Sequence, residues 1–255
     1  AEEVVVALLE AGAEVNVQNI KGRSPLHDSA AFGHIGVTQK LLEAGAEVNV
    51  QNNEGNSPLH LAIAREEPWQ KYREEEHEWE SRVAKYTREL EETVRALLEA
   101  GAELNMQNNK GVSPLHDSIE RGHIGVTRML LEAGAAVNVQ DNEGRSPLHM
   151  ADAEEVVVAL LEAGAEVNVQ DNDGRSPLHY SIERDHIGVT CKLLEAGATA
   201  NIQSNKGDLP LHLAIAREKP SQKYYEEEER WKNRVAKFTR ELEETVRALL
   251  EAGAE

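Results

Sequence analysis

The chain has 255 residues, a formal net charge of -19 and an aromatic content of only 4%. So acidic a surface repels phosphate backbones and anionic bilayers, which argues against nucleic acid and membrane as partners. One cysteine, Cys191, excludes an intrachain disulfide framework and any multi-cysteine metal site, and it fits a reducing cytoplasmic setting and an extracellular one equally well.

The chain opens on AEEVVVALLE, an acidic amphipathic helix that resembles no signal peptide. Next comes Gly22-Arg23-Ser24-Pro25-Leu26-His27, in which Gly22 permits a tight turn and Ser24 is a good N-cap. Pro25 falls at the first helical position, where a missing N–H costs nothing. Leu26, Ser29 and Ala30 start a short inner helix, Gly33-His34 turns the chain, and Val37, Leu41 and Leu42 mark the buried side of an outer helix. Gly45 is placed to end that helix in a left-handed conformation, and Asn49-Val50-Gln51 runs extended into the next turn.

The same strings return along the chain. Gly-x-Ser-Pro-Leu-His begins at Gly22, Gly55, Gly111, Gly144 and Gly174, with a Gly-Asp-Leu-Pro-Leu-His variant at Gly207. Successive glycines are 33, 56, 33, 30 and 33 residues apart. A larger period lies above these steps: residues 1–103 match 153–255 without a gap, at roughly three-quarters identity, so the superperiod is 152 residues. Both ends fall inside a repeat and no initiator methionine is present, which reads as a processed chain or a window of a longer array.

These motifs resemble the ankyrin repeat family over nearly the whole chain. The family's Thr-Pro-Leu-His appears as Ser-Pro-Leu-His, its Gly-His as Gly33-His34 and Gly122-His123, and its Leu-Leu-x-x-Gly-Ala-x-x-Asn as Leu41 to Asn49. The resemblance implies an all-α repeat solenoid, a stack of helix pairs with β-turn tips, divided as 1–18 (partial), 19–51, 52–107, 108–140, 141–170, 171–203 and 204–255. It also implies that the histidines of the Pro-Leu-His strings are structural, bonding backbone within and between repeats. Some positions depart from the pattern. Thr38, Thr127 and Thr190 stand where the family has aliphatic residues, and should loosen the outer face or prepare it for a neighbour. Leu209 replaces an N-cap serine, and Asp185 replaces an inter-helix glycine.

Two units, 52–107 and 204–255, carry a long helical insertion. Helix formers fill it without internal Gly or Pro after Pro68 and Pro220. Read as one helix, Pro68 to Ala100 is roughly 50 Å long, while Ser81 and Asn233 are N-cap types where it could break. Tyr72, Trp79, Val83 and Tyr86 continue through Leu90, Val94 and Leu97 at coiled-coil-like spacing, and Tyr224, Trp231, Val235 and Phe238 repeat the seam in the second copy. Such a stripe either folds back over neighbouring repeats or docks on another subunit.

No Ser-His-Asp order, phosphate-binding loop or dinucleotide glycine motif occurs, so no catalytic residue, cofactor or metal site is assigned. Cys191 reads as an inert thiol. The resemblance places partner binding on the turn tips and the exposed side of the inner helices. On that surface Arg23, Asp28, Phe32, Arg121, Arg145, Arg175, Tyr180 and Arg184 are the candidate partner-binding residues. The expected function is a non-enzymatic protein-interaction scaffold. The alternative is a protomer that forms a homo-oligomer or helical assembly, a filament or tube, through its repeat ends and long helices.

Overall fold

A computed structural model of the chain describes residues 2–68, 75–216 and 228–254, with the side chains of 228, 229 and 231 left aside. Every regular element among the described residues is α-helical, and they pack as two units, Ala1–Asp141 and Asn142–Glu255.

In the first unit the helices are α1 (Glu2–Glu10), α2 (Pro25–Phe32), α3 (Ile35–Glu43), α4 (Pro58–Ile63), α5 (Glu76–Glu99), α6 (Pro114–Glu120) and α7 (Ile124–Glu132). They form two rows. Short α2, α4 and α6 pack in sequence as an inner row, while α1, α3, α5 and α7 form an outer row. The second unit repeats the plan, with α8 (Pro147–Met150), α10 (Pro177–Glu183) and α12 (Pro210–Ile215) inside and α9 (Glu154–Glu162), α11 (Ile187–Glu195) and α13 (Glu228–Glu251) outside. The 30-residue step has a simple cause: the three missing residues shorten its inner helix, leaving α8 a single turn.

The repeated hexapeptide does three jobs at once. Ser24 caps α2 in an extended conformation, and Pro25 opens the helix. The Ser24 N–H donates to His27 Nδ1 at 3.1 Å, which fixes the tautomer, so Nε2–H donates across to the Asn56 carbonyl of the next repeat at 3.0 Å. His60, His149 and His179 reach Val112, Arg175 and Asp208 carbonyls in the same way. Burial holds the His60 imidazole down to about 4, so the ring is neutral and its N–H is committed to that bond. At the tips, Asn19 Oδ1 accepts from Lys21 and Arg23 N–H, and the Asn53 N–H donates to the Lys21 carbonyl of the neighbouring tip. Gly22 is required there, because its φ is +73° and a Cβ would lie 2.8 Å from the Asn53 nitrogen.

The threonines correct the sequence reading. Thr38 is fully buried and its Oγ1 donates to Ser29 Oγ at 3.0 Å. Thr127 and Thr190 pair with Ser118 and Ser181 at 3.0 and 2.9 Å. They neither loosen the outer face nor await a neighbour; each ties an outer helix to its inner one. Asp185, standing for glycine, adopts φ +66°, matching Gly33 at +65° and Gly122 at +70°.

The described part of the first long helix begins at Glu76 and passes Ser81 without a break; α13 likewise passes Asn233. Tyr72 and Tyr224 lie outside the described residues. The single helix expected from Pro68 to Ala100 is not formed, because Pro68 is not helical and Glu75 is extended, capping α5 at Glu76. From Tyr86 onward the α5 seam is buried within its own unit: Tyr86 is 6% exposed, Leu90 1%, and Val94 and Leu97 0%. It packs against α3, α4 and α7. At roughly 1.5–3 kcal/mol per fully buried apolar side chain, this anchorage dominates the helix. Trp79 and Val83 are half-buried, and the Trp79 indole N–H donates to the Pro68 carbonyl at 3.2 Å. In α13, Val235 and Phe238 are half-buried, and Trp231 lies in the helix with its side chain outside the described set.

Candidate functional site

The residues left open by this packing are the tips and the outward side of the inner helices. In the first unit, Arg23 on a tip pairs with Asp28 on α2 at 2.8 Å. One turn along, Phe32 is 65% exposed, its ring 6.0 Å from that of His34. Arg121 ends α6, exposed. It is the leading favourable charge for Asp117, the carboxylate one turn earlier.

Asp117 belongs to the same inner-helix surface. It occupies the position of Asp28, but its tip residue is Val112 where Arg23 stands in the earlier repeat. Burial lifts the Asp117 carboxyl to about 7, against the opposing charge of Arg121. The strings at Gly22, Gly144 and Gly174 carry arginine at that tip position, the one at Gly55 asparagine and the one at Gly111 valine.

The second unit brings three candidates together. The Tyr180 ring lies between two guanidiniums, Arg175 at 4.6 Å and Arg184 at 5.3 Å from its centroid. Its hydroxyl donates to Asp171 Oδ2 at 2.7 Å, and His149 meets the ring edge-on at 5.4 Å. Arg175 also pairs with Glu183, and Arg184 with Asp152 at 2.9 Å. Burial and the Asp171 carboxylate hold the phenol far above its ordinary range, so it remains a neutral donor. Arg145 pairs with Glu143 at 3.1 Å and adds its charge to the field at Tyr180. An aromatic ring fixed between guanidiniums suits recognition: little side-chain entropy remains to be lost on contact.

A second cluster holds the long helix and was not foreseen. Tyr86 Oη–H donates to the Arg65 carbonyl at 2.8 Å and lies 3.3 Å from His123 Nε2, while Arg65 sits over the Tyr86 ring at 5.0 Å. Arg65 further faces Glu89 at 3.6 Å. Its residues are largely withdrawn from solvent, which makes it a fastening. Cys191 is half-buried, and burial followed by Glu195 pushes its thiol up, away from the reactive thiolate. Among the described residues no three His, Cys, Asp or Glu side chains are arranged to hold a metal ion, and no helix is long and apolar enough to cross a membrane.

Models of ankyrin repeats match in three forms: many copies over 8–62 and 160–214, a single repeat over 54–109, and three copies over 82–171. Together they extend from residue 8 to 214. Among solved structures, the human ASB11 ankyrin repeat domain is similar at 25% identity and TM-score 0.70, covering 100% of this chain and 94% of that one. The ankyrin repeat domain of Bcl-3, a unique member of the IkappaB protein family, is similar at 26% identity and TM-score 0.64, with 94% and 91% covered. No curated protein sequence matches this one.

Proposed function

Because the chain belongs to the ankyrin repeat family, we propose that it is a non-enzymatic scaffold that holds other proteins on its tips and inner helices. The observation that carries this reading is Tyr180 fixed between Arg175 and Arg184 on the open side of α10. Tyr and Arg are the residue types that dominate binding energy in protein interfaces, and here both are pre-ordered. Arg23, Asp28 and Phe32 form the corresponding surface of the first unit, and the net charge of -19 favours partners with basic patches by speeding their encounter.

Self-assembly through the long helices has less to draw on. On α5 the seam from Tyr86 to Leu97 is already covered by α3, α4 and α7, which leaves Trp79 and Val83 on that helix, and on α13 Val235, Phe238, Leu242 and Val246 are half-buried. Quantitative affinity capture tests the scaffold reading. Partners held by the wild-type chain should fall at least about tenfold with the Tyr180→Ala, Arg184→Ala double variant, and should persist with Glu195→Ala on an outer helix. Equal capture by all three chains would remove the reading.

A further inference from the structure

On the second unit, the tip surface holds a slot beside the Tyr180 cluster. A cavity of about 100 Å³ is walled by Arg175 and His179 on one side and by Ser204, Lys206, Asp208 and Leu213 on the other. The last four stand 33 residues after Asp171, Asp173, Arg175 and Tyr180. In that earlier place the Tyr180 ring meets His149 edge-on at 5.4 Å, and its hydroxyl donates to Asp171 Oδ2 at 2.7 Å. In the later repeat serine replaces aspartate, aspartate replaces arginine and leucine replaces tyrosine, and each of these changes removes side-chain volume. His179 keeps the place of His149, its ring fixed by the bond to the Asp208 carbonyl at 3.2 Å.

Two further observations bear on what the slot accepts. Arg175 lies over the Tyr180 ring at 4.6 Å and also lines the slot, which Tyr180 does not reach. Its guanidinium therefore has an aromatic ring on one side and the slot on the other. The second observation is Ser204, which is 8% exposed. Its Oγ accepts from the Lys206 and Asp208 N–H groups at 3.3 and 3.2 Å, as Asp171 Oδ1 does from Asp173 and Arg175. Asp171 has a second oxygen for the Tyr180 hydroxyl; Ser204 has instead an O–H for which no described residue is the acceptor. A buried hydroxyl of this kind calls for an acceptor from outside.

We infer that the slot receives a tyrosine side chain of the partner held on this surface, its ring between Arg175 and Leu213 and its oxygen accepting from Ser204 Oγ–H. The inference rests on the scaffold reading above and names the chemistry that reading leaves open. The guest ring adds a layer to the stack of Arg184, Tyr180 and Arg175. Arginine or lysine is the competing guest, since the chain is acidic and Asp208 lines the slot. Such a cation would meet Arg175 and Lys206 in the same space, and it has no atom to accept the Ser204 proton. Phenylalanine would supply the ring and leave that proton unbonded.

The test titrates the full chain with 4-methylphenol, the tyrosine side chain alone, and follows amide resonances. Shifts at His179, Ser204 and Leu213 should saturate at about millimolar concentration, as suits so small a ligand. Toluene should bind there about fivefold more weakly, and propylguanidinium should not saturate the same resonances. Leu213→Tyr fills the slot from within, as Tyr180 does one repeat earlier, and should abolish the methylphenol shifts in a chain that still folds. Ser204→Asp keeps the turn acceptor, as Asp171 does, and adds an oxygen for the phenol proton; it should tighten methylphenol several-fold and leave toluene unchanged. Propylguanidinium saturating these resonances as readily as methylphenol, shifts that persist in Leu213→Tyr, or no saturable shift at all overturns the inference. Because no partner protein is used, the two readings part cleanly. Capture without slot binding removes the tyrosine site alone, whereas slot binding without capture removes the scaffold reading.

Discussion

At the level of single residues, the repeat positions supply their own controls. Asp185 occupies φ +66° where two sister repeats have glycine, and a side chain in that region costs the fold free energy that glycine does not incur. Asp185→Gly should therefore stabilise the second unit by about 0.5–1 kcal/mol in denaturant titrations, with unchanged cooperativity. Asp117 makes a pH-dependent prediction. Its carboxyl is raised to about 7 in the folded chain, above an unfolded value near 3.8, so the folded state binds the proton more tightly. Below the lower value the group is neutral in both states; as pH climbs through 7 the folded chain must ionise a carboxylate that burial disfavours, and stability is lost. Asp117→Asn should then be indifferent at pH 4 and stabilising above pH 7, by at most about 4 kcal/mol. A difference that does not change with pH would mean the carboxylate is better solvated than its position implies. The histidines behave in the opposite sense. With His60 held near 4, the unfolded chain takes up the proton first, so this residue's contribution is complete above 6.5 and disappears as pH falls toward 4. A His60 ring resonance that stays in its neutral position down to about pH 4.5 would verify it directly.

For the helices, the two copies of the long insertion separate what a helix contributes from what its neighbour does. Leu90 on α5 is 1% exposed because α7 lies over that face, whereas Leu242, its counterpart on α13, is only half-buried. Sequence, spacing and helix length are nearly the same in both. Leu90→Ala should cost about 2–5 kcal/mol, while Leu242→Ala, with less surface to lose and an open side into which its surroundings can relax, should cost less than half of that. Hydrogen exchange should report the losses locally, α5 opening with α7 in one variant and α13 alone in the other. Equal penalties would show that intrinsic helix stability outweighs coverage. Tyr86 is a finer probe of the same anchorage. Tyr86→Phe removes the hydrogen bond to the Arg65 carbonyl and should cost about 1 kcal/mol, and the second copy already has Phe238 at that place.

Across the molecule, the repeat architecture was legible from sequence because each of its rules is local. Capping serine, first-turn proline, bridging histidine and left-handed glycine lie within a few residues of one another, and every repeat states them again. What escaped notice depends on pairs in different elements. The Thr38–Ser29 bond joins two helices, so threonine looked like a flaw in an apolar stripe until both partners were in place. The fastening of Tyr86 by Arg65 and His123 spans three elements. Charge is likewise a property of the whole. All seven outer helices, α1, α3, α5, α7, α9, α11 and α13, end on glutamate, at the negative end of the helix dipole. Glu43 and Glu195 each meet a lysine, at 2.7 and 2.8 Å, and both pairs are exposed enough to be worth little. Repulsion among these carboxylates, within a chain of net charge -19, opposes folding, and it is screened once the Debye length falls from about 30 Å to about 8 Å. Raising sodium chloride from about 10 to about 150 mM should therefore raise the melting temperature, and Glu132→Gln should recover about 0.3–1 kcal/mol at low salt and less at high salt. If salt instead lowers the melting temperature, attraction within pairs such as Arg23–Asp28 and Arg184–Asp152 outweighs the repulsion, and those pairs structure the binding surface more strongly than exposed pairs generally do.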